Sequence, residues 1–413
     1  MQKFGDVVTH TQYDLNDVEF LFPKEMEIEK FTCLSSTEPF SVESIEYLNE
    51  LSKILLKESV VKDYPDVVTF AFFCRKANVL KLRNKYESNL EIRLGRGLLF
   101  HIAPSNVPIN FAYSLISGIL SGSLNIVRVP SPKYEQIDIV CNAIVKLNKE
   151  NLFKSVSSRF VLIRYDRSSL ATAYFSSLCD VRIIWGGDRT IEQIRENKLP
   201  SRSFDLTFAD RYSLCAINAD EYVFEQAPEK IALDFYNDTY LFDQNACTAP
   251  HLVIWLGSDE NVKNAKKIFW HSIHELVKSR YKVQSVIAVD KLTSLYDQSI
   301  NLKNIKRAAT EDNLLWRIEL QDLPENIDMF RCNSGYFLEY HAESLSVISK
   351  IINRKYQTLA YYGIKKSKLS DFIKNEKPRG IDRIVPIGKT TDFSLTWDGY
   401  DLINSLSRII EII

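Results

Sequence analysis

The chain of 413 residues reads as an α/β protein, with a doubly wound parallel-sheet lobe followed by a second α/β lobe. Three observations predict this. Short continuous apolar runs recur at about residues 98, 124, 160 and 181, with SFDLTFA and YSLCAIN beyond, and segments of helical periodicity separate them. That alternation marks parallel βαβ units whose strands are buried on both faces. The length exceeds what one core fills, so two lobes are expected. Finally, residues 97–127 contain no Asp, Glu, Lys or Arg. The stretch is long enough to span a membrane, yet Pro104, Asn106, Pro108 and its glycines divide it into a buried strand, turn and short helix.

Taken in order, residues 1–90 form an N-terminal wrap with predicted helices at 41–59 and 67–82. GLLFHIA is a strand, VPINFAYSLISGILSG a helix, LNIVRV a strand and YEQIDIVCNAIVKLN a helix. RFVLIRY, SLATAYFSSLC, VRIIW and DRTIEQIREN repeat the alternation. After residue 230, IALDFYNDTYLF leads through QNACTAP into the strand HLVIWLG, the helix NAKKIFWHSIHELVKSR and SVIAVD, which is read as a strand. A polar stretch precedes NSGYFLEY and a short helix near 342–353. The tail holds RIVPIG, TWDGYDLI and a last short amphipathic helix. The expected boundaries are 1–240, 241–380 and 381–413, the last returning to the first lobe or to a subunit interface.

Apolar residues make up 45% and charged residues 25%, ordinary for a folded protein. With 53 acidic and 52 basic side chains there is no global field to draw nucleic acid or an anionic membrane, and neither is an expected partner. The seven cysteines (33, 74, 141, 179, 215, 247, 332) contain no CxxC pair, so no disulfide framework or structural zinc is expected, and a reducing cytoplasm is. The N-terminus is acidic and lacks the apolar core of a signal peptide. The six histidines (10, 101, 251, 271, 274, 341) form no metal signature: HSIH has i, i+3 spacing but no third ligand, and no metal is expected. P-loop, RNA-recognition and GxSxG motifs are absent.

Three constellations carry chemistry. Cys247 lies in YLFDQNACTAPHLVIWL, on a turn feeding a buried strand. A thiolate held there is a strong nucleophile if amides or a cation stabilise it, although the local sequence describes an inert core cysteine equally well. HIAPSNVP (101–108) puts a polar turn at the carboxyl end of a buried strand, where doubly wound sheets bind ligands. Asn106 there suits an oxyanion, or simply the turn, and His101 reads as structural. WGGDRT (185–190) joins a strand to a helix: Gly186 and Gly187 permit close approach of a ligand, the helix offers N-terminal amides to phosphate, and Asp188 is expected to cap it. No GxGxxG accompanies it, and a plain turn is the other reading.

HIAPSNVP, SGSLNIVRVPSP (121–132), IIWGGDRTIEQIR (183–195), FADRYSL (208–214), FDQNACTAP (242–250) and WDGYDLINSLSR (397–408) occur in that order. Together they resemble the fatty-acyl-CoA reductases of bacterial bioluminescence, LuxC-like acyl-CoA reductases within the aldehyde dehydrogenase superfamily, over roughly residues 95–410. The resemblance implies an aldehyde dehydrogenase-like fold, with a dinucleotide-binding lobe in 1–240 and a catalytic lobe in 241–380. It implies that Cys247 accepts the acyl group and that Asn106 with the Cys247 amide forms the oxyanion hole. Arg128 stands where the superfamily strand has a lysine near the adenosine ribose, and an arginine there suits a 2'-phosphate, so NADPH (NADP) is expected rather than NAD. Pro104, Ser105, Gly186, Gly187 and Asp188 complete the expected cofactor contacts.

No segment matches the glutamate that activates water in aldehyde oxidisers, which suits a reductase. The implied reaction is NADPH-dependent reduction of an activated fatty acyl group to aldehyde through acyl-Cys247. The donor is acyl-CoA or an acyl group handed over by an acyl-protein synthetase partner. A homo-oligomer is also implied. The alternatives are an aldehyde dehydrogenase-like enzyme acting on a small biosynthetic substrate, and a non-catalytic partner in a reductase complex. The 23 Phe and 20 Tyr suit a lipid tunnel and an ordinary core alike, so they do not decide between these.

Overall fold

The computed structural model describes residues 15–86, 92–310 and 312–413; the N-terminal reading of residues 1–14, His10 included, lies outside them. The chain divides into two units, one ending at Ala209 and including Tyr400–Ile413, the other spanning Asp210–Gly399.

The strands of the first unit are β1 (Glu19–Phe22), β2 (Arg93–Gly95), β3 (Leu98–Ile102), β4 (Leu124–Arg128), β5 (Phe160–Arg164), β6 (Val181–Trp185) and β7 (Phe204–Phe208). Six of them form a sheet in the order β1-β5-β4-β3-β6-β7, parallel except at β1. Every residue of β3, β4 and β6 is buried, as the unbroken apolar runs require. Helices Asn110–Leu120, Glu135–Asn148, Ala171–Leu178 and Asp188–Arg195 make the crossovers. The chain moves from β3 outward to β4 and β5, then crosses back to β6 on the other side of β3. The topological switch point therefore lies between β3 and β6, where Ile102 pairs with Ile184.

Two polar devices lock this unit. Arg182, 1% exposed, forms a bidentate pair with Asp205 at 2.7 and 3.1 Å and also donates to Ser176 Oγ and the carbonyls of Ile194 and Asn197. It thereby ties β6 to β7 and to the end of the following helix. At the C-terminus, Ser407–Ile409 pairs antiparallel with β2, and Arg96 donates to the carbonyls of Ser405 and Ser407.

The second unit contains β8 (Tyr212–Asn218), β9 (Pro250–Leu256), β10 (Lys306–Arg307), β11 (Trp316–Glu319), β12 (Tyr336–Ala342), β13 (Tyr356–Tyr362) and β14 (Arg383–Pro386). They form one sheet in the order β10-β11-β12-β9-β8-β13-β14, antiparallel only at β10. The two-residue period divides its core. Leu214, Ala216, Leu252, Ile254 and Leu338 pack on one face. Cys215, Ile217, Val253, Trp255 and Phe337 pack on the other, against Phe235, Phe269 and Trp270 of the covering helices Pro228–Thr239 and Asp259–Arg280.

The domain boundary is expected at 240/241; the two compact units divide at 209/210, with residues 381–399 in the second. Three readings of individual elements are corrected. The strand YSLCAIN, taken as the last of the first lobe, pairs instead with β9 and β13, and RIVP with β13. A parallel strand looks alike from either sheet. SVIAVD is not a strand but opens the helix Ser285–Asn301. Its short β-branched run fits either state locally. Two distant bonds fix the helix: Lys291 Nζ donates to the Asn313 carbonyl at 2.6 Å, and Gln298 Nε2 to the Phe330 carbonyl at 2.9 Å. The helix read at 67–82 is two, Pro65–Phe73 and Lys76–Asn84, broken where Arg75 turns extended.

Replacing Asp205 with Ala leaves the Arg182 charge buried and unpaired. We expect a loss of about 3–5 kcal/mol of stability in urea unfolding, and a loss below 1 kcal/mol would contradict the pairing as described.

Candidate active site

In the second unit the site is built on the turn that precedes β9. Asp243 and Gln244 are both left-handed, with φ of 51° and 60°, a strained pair for non-glycine residues costing roughly 1–2 kcal/mol each. The buried Gln244 carboxamide offsets this with four bonds. Its Nε2 donates to the carbonyls of Pro250 and Tyr336, and its Oε1 accepts from the amides of Gly335 and Tyr336. The turn is thereby fastened to the starts of both β9 and β12. A second turn closes through the Ala249 amide on the Ala246 carbonyl at 2.9 Å, carrying Cys247. Ser213 Oγ donates to the Cys247 carbonyl at 2.7 Å and accepts from the Thr358 amide, so β8 and β13 hold the same loop.

Cys74, Cys141, Cys179 and Cys215 are buried, whereas Cys247 is partly exposed. Burial pushes its thiol up to about 12; the Asp398 carboxylate pushes the same way, while the Gln357 carboxamide, within hydrogen-bonding reach, and Arg211 pull it back. Gln357 is buried and donates through Nε2 to Asp398 Oδ1, while its Oε1 has no partner. Two guanidinium groups face the carboxylate. Arg211 pairs with Asp382 and donates to the carbonyls of Lys355 and Tyr356. Arg383 feels both Cys247 and Asp398 and donates to the carbonyls of Lys389, Thr390 and Asp392. The resting site is thus a neutral thiol beside one carboxylate and two cations. In 8.5-type thiols the nucleophile is partly ionised at neutral pH; here it forms only as a proton is removed.

The other expected site residues lie in the first unit. Pro104, Ser105 and Asn106 follow β3, and Gly186, Gly187 and Asp188 follow β6, so the two loops flank the switch point at the carboxyl ends of paired strands. Tyr134 Oη donates to the Ser105 carbonyl at 2.9 Å, and the Asn106 side chain is exposed. Asp188 does not cap its helix: Gly187 is the N-cap, and Asp188 is the first residue of the helix Asp188–Arg195, where its charge suits the first turn. Arg128 ends β4 and is buried, with Nη2 bound to Ser131 Oγ and the Tyr165 carbonyl. His101 is structural: fully buried, pushed down to about 4 by burial, and held between Ser114 Oγ and Asn125 Oδ1.

These residues fit a dinucleotide. A Cβ at Gly187 would meet no protein atom within 4 Å, leaving open space over the start of the helix, and the buried Arg128 Nε has no partner. Of the imidazoles in HSIH, His274 is paired with Asp312 at 2.9 Å. Among the described residues no group of three or more His, Cys, Asp or Glu is arranged to hold a metal, and no helix is long and apolar enough to cross a membrane. Gln244, Gln357, Asp398, Arg211 and Arg383 escaped the sequence reading as functional residues. Three of them stood inside quoted motifs (FDQNACTAP, FADRYSL, WDGYDL), which was the only available signal.

A family model described as "Acyl-CoA reductase (LuxC)" matches residues 24–409. No curated protein gives a match. Among solved structures, lactaldehyde dehydrogenase from Escherichia coli superposes with a TM-score of 0.62 at 10% identity, covering 92% of this chain and 87% of that one. Aldehyde dehydrogenase 21 from Physcomitrella patens, in complex with the reaction product succinate, gives 0.65 at 10% identity over 92% and 87%. A 1-pyrroline-5-carboxylate dehydrogenase variant from Thermus thermophilus gives 0.61 at 11% over 92% and 82%. The fold is accordingly aldehyde dehydrogenase-like, with two α/β lobes.

Because the thiol sits at about 12, alkylation of Cys247 by iodoacetamide is expected to rise about tenfold per pH unit from 7 to 10 without levelling off. Peptide mass spectrometry across that range checks it, and a plateau near pH 8.5 would show an ordinary thiol.

Proposed function

The chain belongs to the acyl-CoA reductase (LuxC) family, and from that premise we propose a nicotinamide-dependent oxidoreductase that works on an acyl or aldehyde substrate through Cys247. Within that class we propose reduction of an activated fatty acyl group, brought as acyl-CoA or by an acyl-protein synthetase partner, to the aldehyde. The observation that carries the reading is the held, partly exposed Cys247 on a strained turn that four strands secure.

The Cys247 sulfur attacks the acyl carbon, the donor thiol departs with the thiol's proton, and an acyl-Cys247 thioester remains. Charge gathers on the acyl oxygen in this step, and an amide donor is worth about 3–4 kcal/mol there. The Cys247 backbone N–H is the proposed donor. When bound, the reduced nicotinamide supplies the hydride. Gly187, the helix it caps and the loop 104–106 are proposed to hold the cofactor. Arg128, with its unpartnered Nε, is proposed to favour NADPH over NADH. The carboxylate that acts on the thiol, Asp398, is bound by the Gln357 carboxamide.

The broader version, an enzyme acting on a small aldehyde or acyl substrate, is the better supported of the two by fold. The solved structures it resembles are named for lactaldehyde and 1-pyrroline-5-carboxylate. Purified protein supplied with NADPH or NADH, and with acyl-CoAs and small aldehydes of graded length, separates them. We expect NADPH loss and aldehyde formation with long acyl-CoA. Cys247→Ala should lose both turnover and labelling by radiolabelled acyl donor, and label persisting on another cysteine would refute the assignment. A Val at position 187 fills space no protein atom occupies, so Gly187→Val should raise KM for the nucleotide about tenfold and leave Tm unchanged. An unchanged KM removes Gly187 from the cofactor site.

A further inference from the structure

Gln357 is a polar residue at the second position of β13, the strand beside the edge strand β14. It is fully buried in β13, with the Thr358 amide beside it committed to Ser213 and through Ser213 to the Cys247 carbonyl. Its carboxamide has a carboxylate on one side and the Cys247 thiol on the other. A carboxylate can only accept, so Asp398 decides which way the amide faces: the NH2 end turns towards the site and Oε1 away. The orphaned Oε1 is the mark of that choice, since the opposite flip would set two acceptors together. Asp398 lies on the tight turn that follows the strand Thr396–Trp397. It is 8% exposed and left-handed at φ 49°, next to Gly399 at φ 75°. Burial pushes its carboxyl up, and Arg211, Gln357 and Arg383 pull it back, while Asp382 opposes them.

We propose that Gln357 and Asp398 are the positioning pair of the Cys247 nucleophile: Asp398 aims the Gln357 carboxamide, one N–H of which stays on the carboxylate while the other meets the sulfur as it becomes a thiolate. The inference rests on Cys247 being the nucleophile and names what governs it. In the acyl transfer the new C–S bond forms at Cys247 as the donor's C–S bond breaks. The electron pair leaves on the donor sulfur, which takes the thiol's proton. Negative charge resides on Cys247 only in passing, and Gln357 supplies a directed donor for that moment. Asp398 acts oppositely at rest, since a like charge nearby holds the thiol neutral and spares it from adventitious electrophiles. The charged groups facing the sulfur are Asp398, Arg211 and Arg383, with Asp382 behind Arg211 and Asp392 beside Arg383.

The pair makes opposite demands on two variants of the full chain. Asp398→Asn keeps the left-handed backbone, which Asn tolerates well, and removes the like charge. Gln357→Leu removes the donor and leaves the charge. Alkylation of Cys247 by iodoacetamide at pH 8, read on the Cys247 peptide, should become about 3–10-fold faster in the first and about 3-fold slower in the second, as shifts of half to one pH unit require. Acyl-CoA reduction should fall in both, with kcat affected more than KM. Shifts of the same sign in both variants, or no shift in either with Tm preserved, would overturn the proposal. Gln357→Glu places a second carboxylate beside the sulfur and should slow alkylation further than Leu; equal rates would count against a directed donor. This readout follows the thiol itself. If radiolabelled acyl donor settled on another cysteine, the assignment of Cys247 as acyl acceptor would fail while the opposed alkylation shifts still stood.

Discussion

A single buried carboxamide holds the chemistry of the second unit in place. Gln244 bonds to Pro250, Gly335 and Tyr336 through both ends of its side chain, and so joins the beginnings of β9 and β12 to the turn that precedes Cys247. Those bonds help offset the two left-handed residues at 243 and 244, together with the Gln244 amide on the Thr239 carbonyl and the Ser334 amide on the Asp243 carbonyl. A buried backbone group left without a partner costs about 1–3 kcal/mol, and the carboxamide serves four of them. The strain and its compensation sit in one residue. That explains why a glutamine, with two donors and two acceptor positions on a planar head, stands there rather than an apolar side chain of the same size.

What the clamp presents is a thiol in a contradictory field. Crowding by protein atoms and the Asp398 carboxylate keep it protonated, while Arg211, Arg383 and Gln357 stand ready for charge. A thiol lowered to neutral pH would be reactive at all times. One raised to about 12 forms its thiolate only as a proton is removed, so its reactivity is tied to whatever group takes that proton.

The first unit solves a different problem. Its sheet reverses direction of growth between β3 and β6, and the reversal parts the two following loops. Arg128, at the end of the neighbouring strand, is held by Ser131 and the Tyr165 carbonyl and lies over the Tyr165 ring at 4.8 Å. Such an arginine is pre-ordered: its entropy of fixation is spent in folding, and any ligand that reaches the orphaned Nε finds a donor already aimed. The same burial lowers its pKa, while Tyr165 and Asp166 act the other way.

Much of the fold was legible because parallel strands are written as unbroken apolar runs: LLFHI, LNIVR, VRIIW and HLVIWL were all strands where they were read as strands. Sheet membership was not legible. YSLCAIN has the same texture whether it closes one sheet or opens the next, and only its register with Pro250–Leu256 settles which. The misreading of SVIAVD has the same root, since the bonds of Lys291 and Gln298 that fix its helix reach residues 22 and 32 positions away. Cys247 becomes a candidate through its company of motifs. Gln357 does not, for it belongs to no motif, and its place one hydrogen bond from Asp398, 41 residues further along the chain, is supplied by the fold. Sequence pattern reports what a residue shares with its neighbours along the chain. A nucleophile is governed by neighbours that the fold alone supplies.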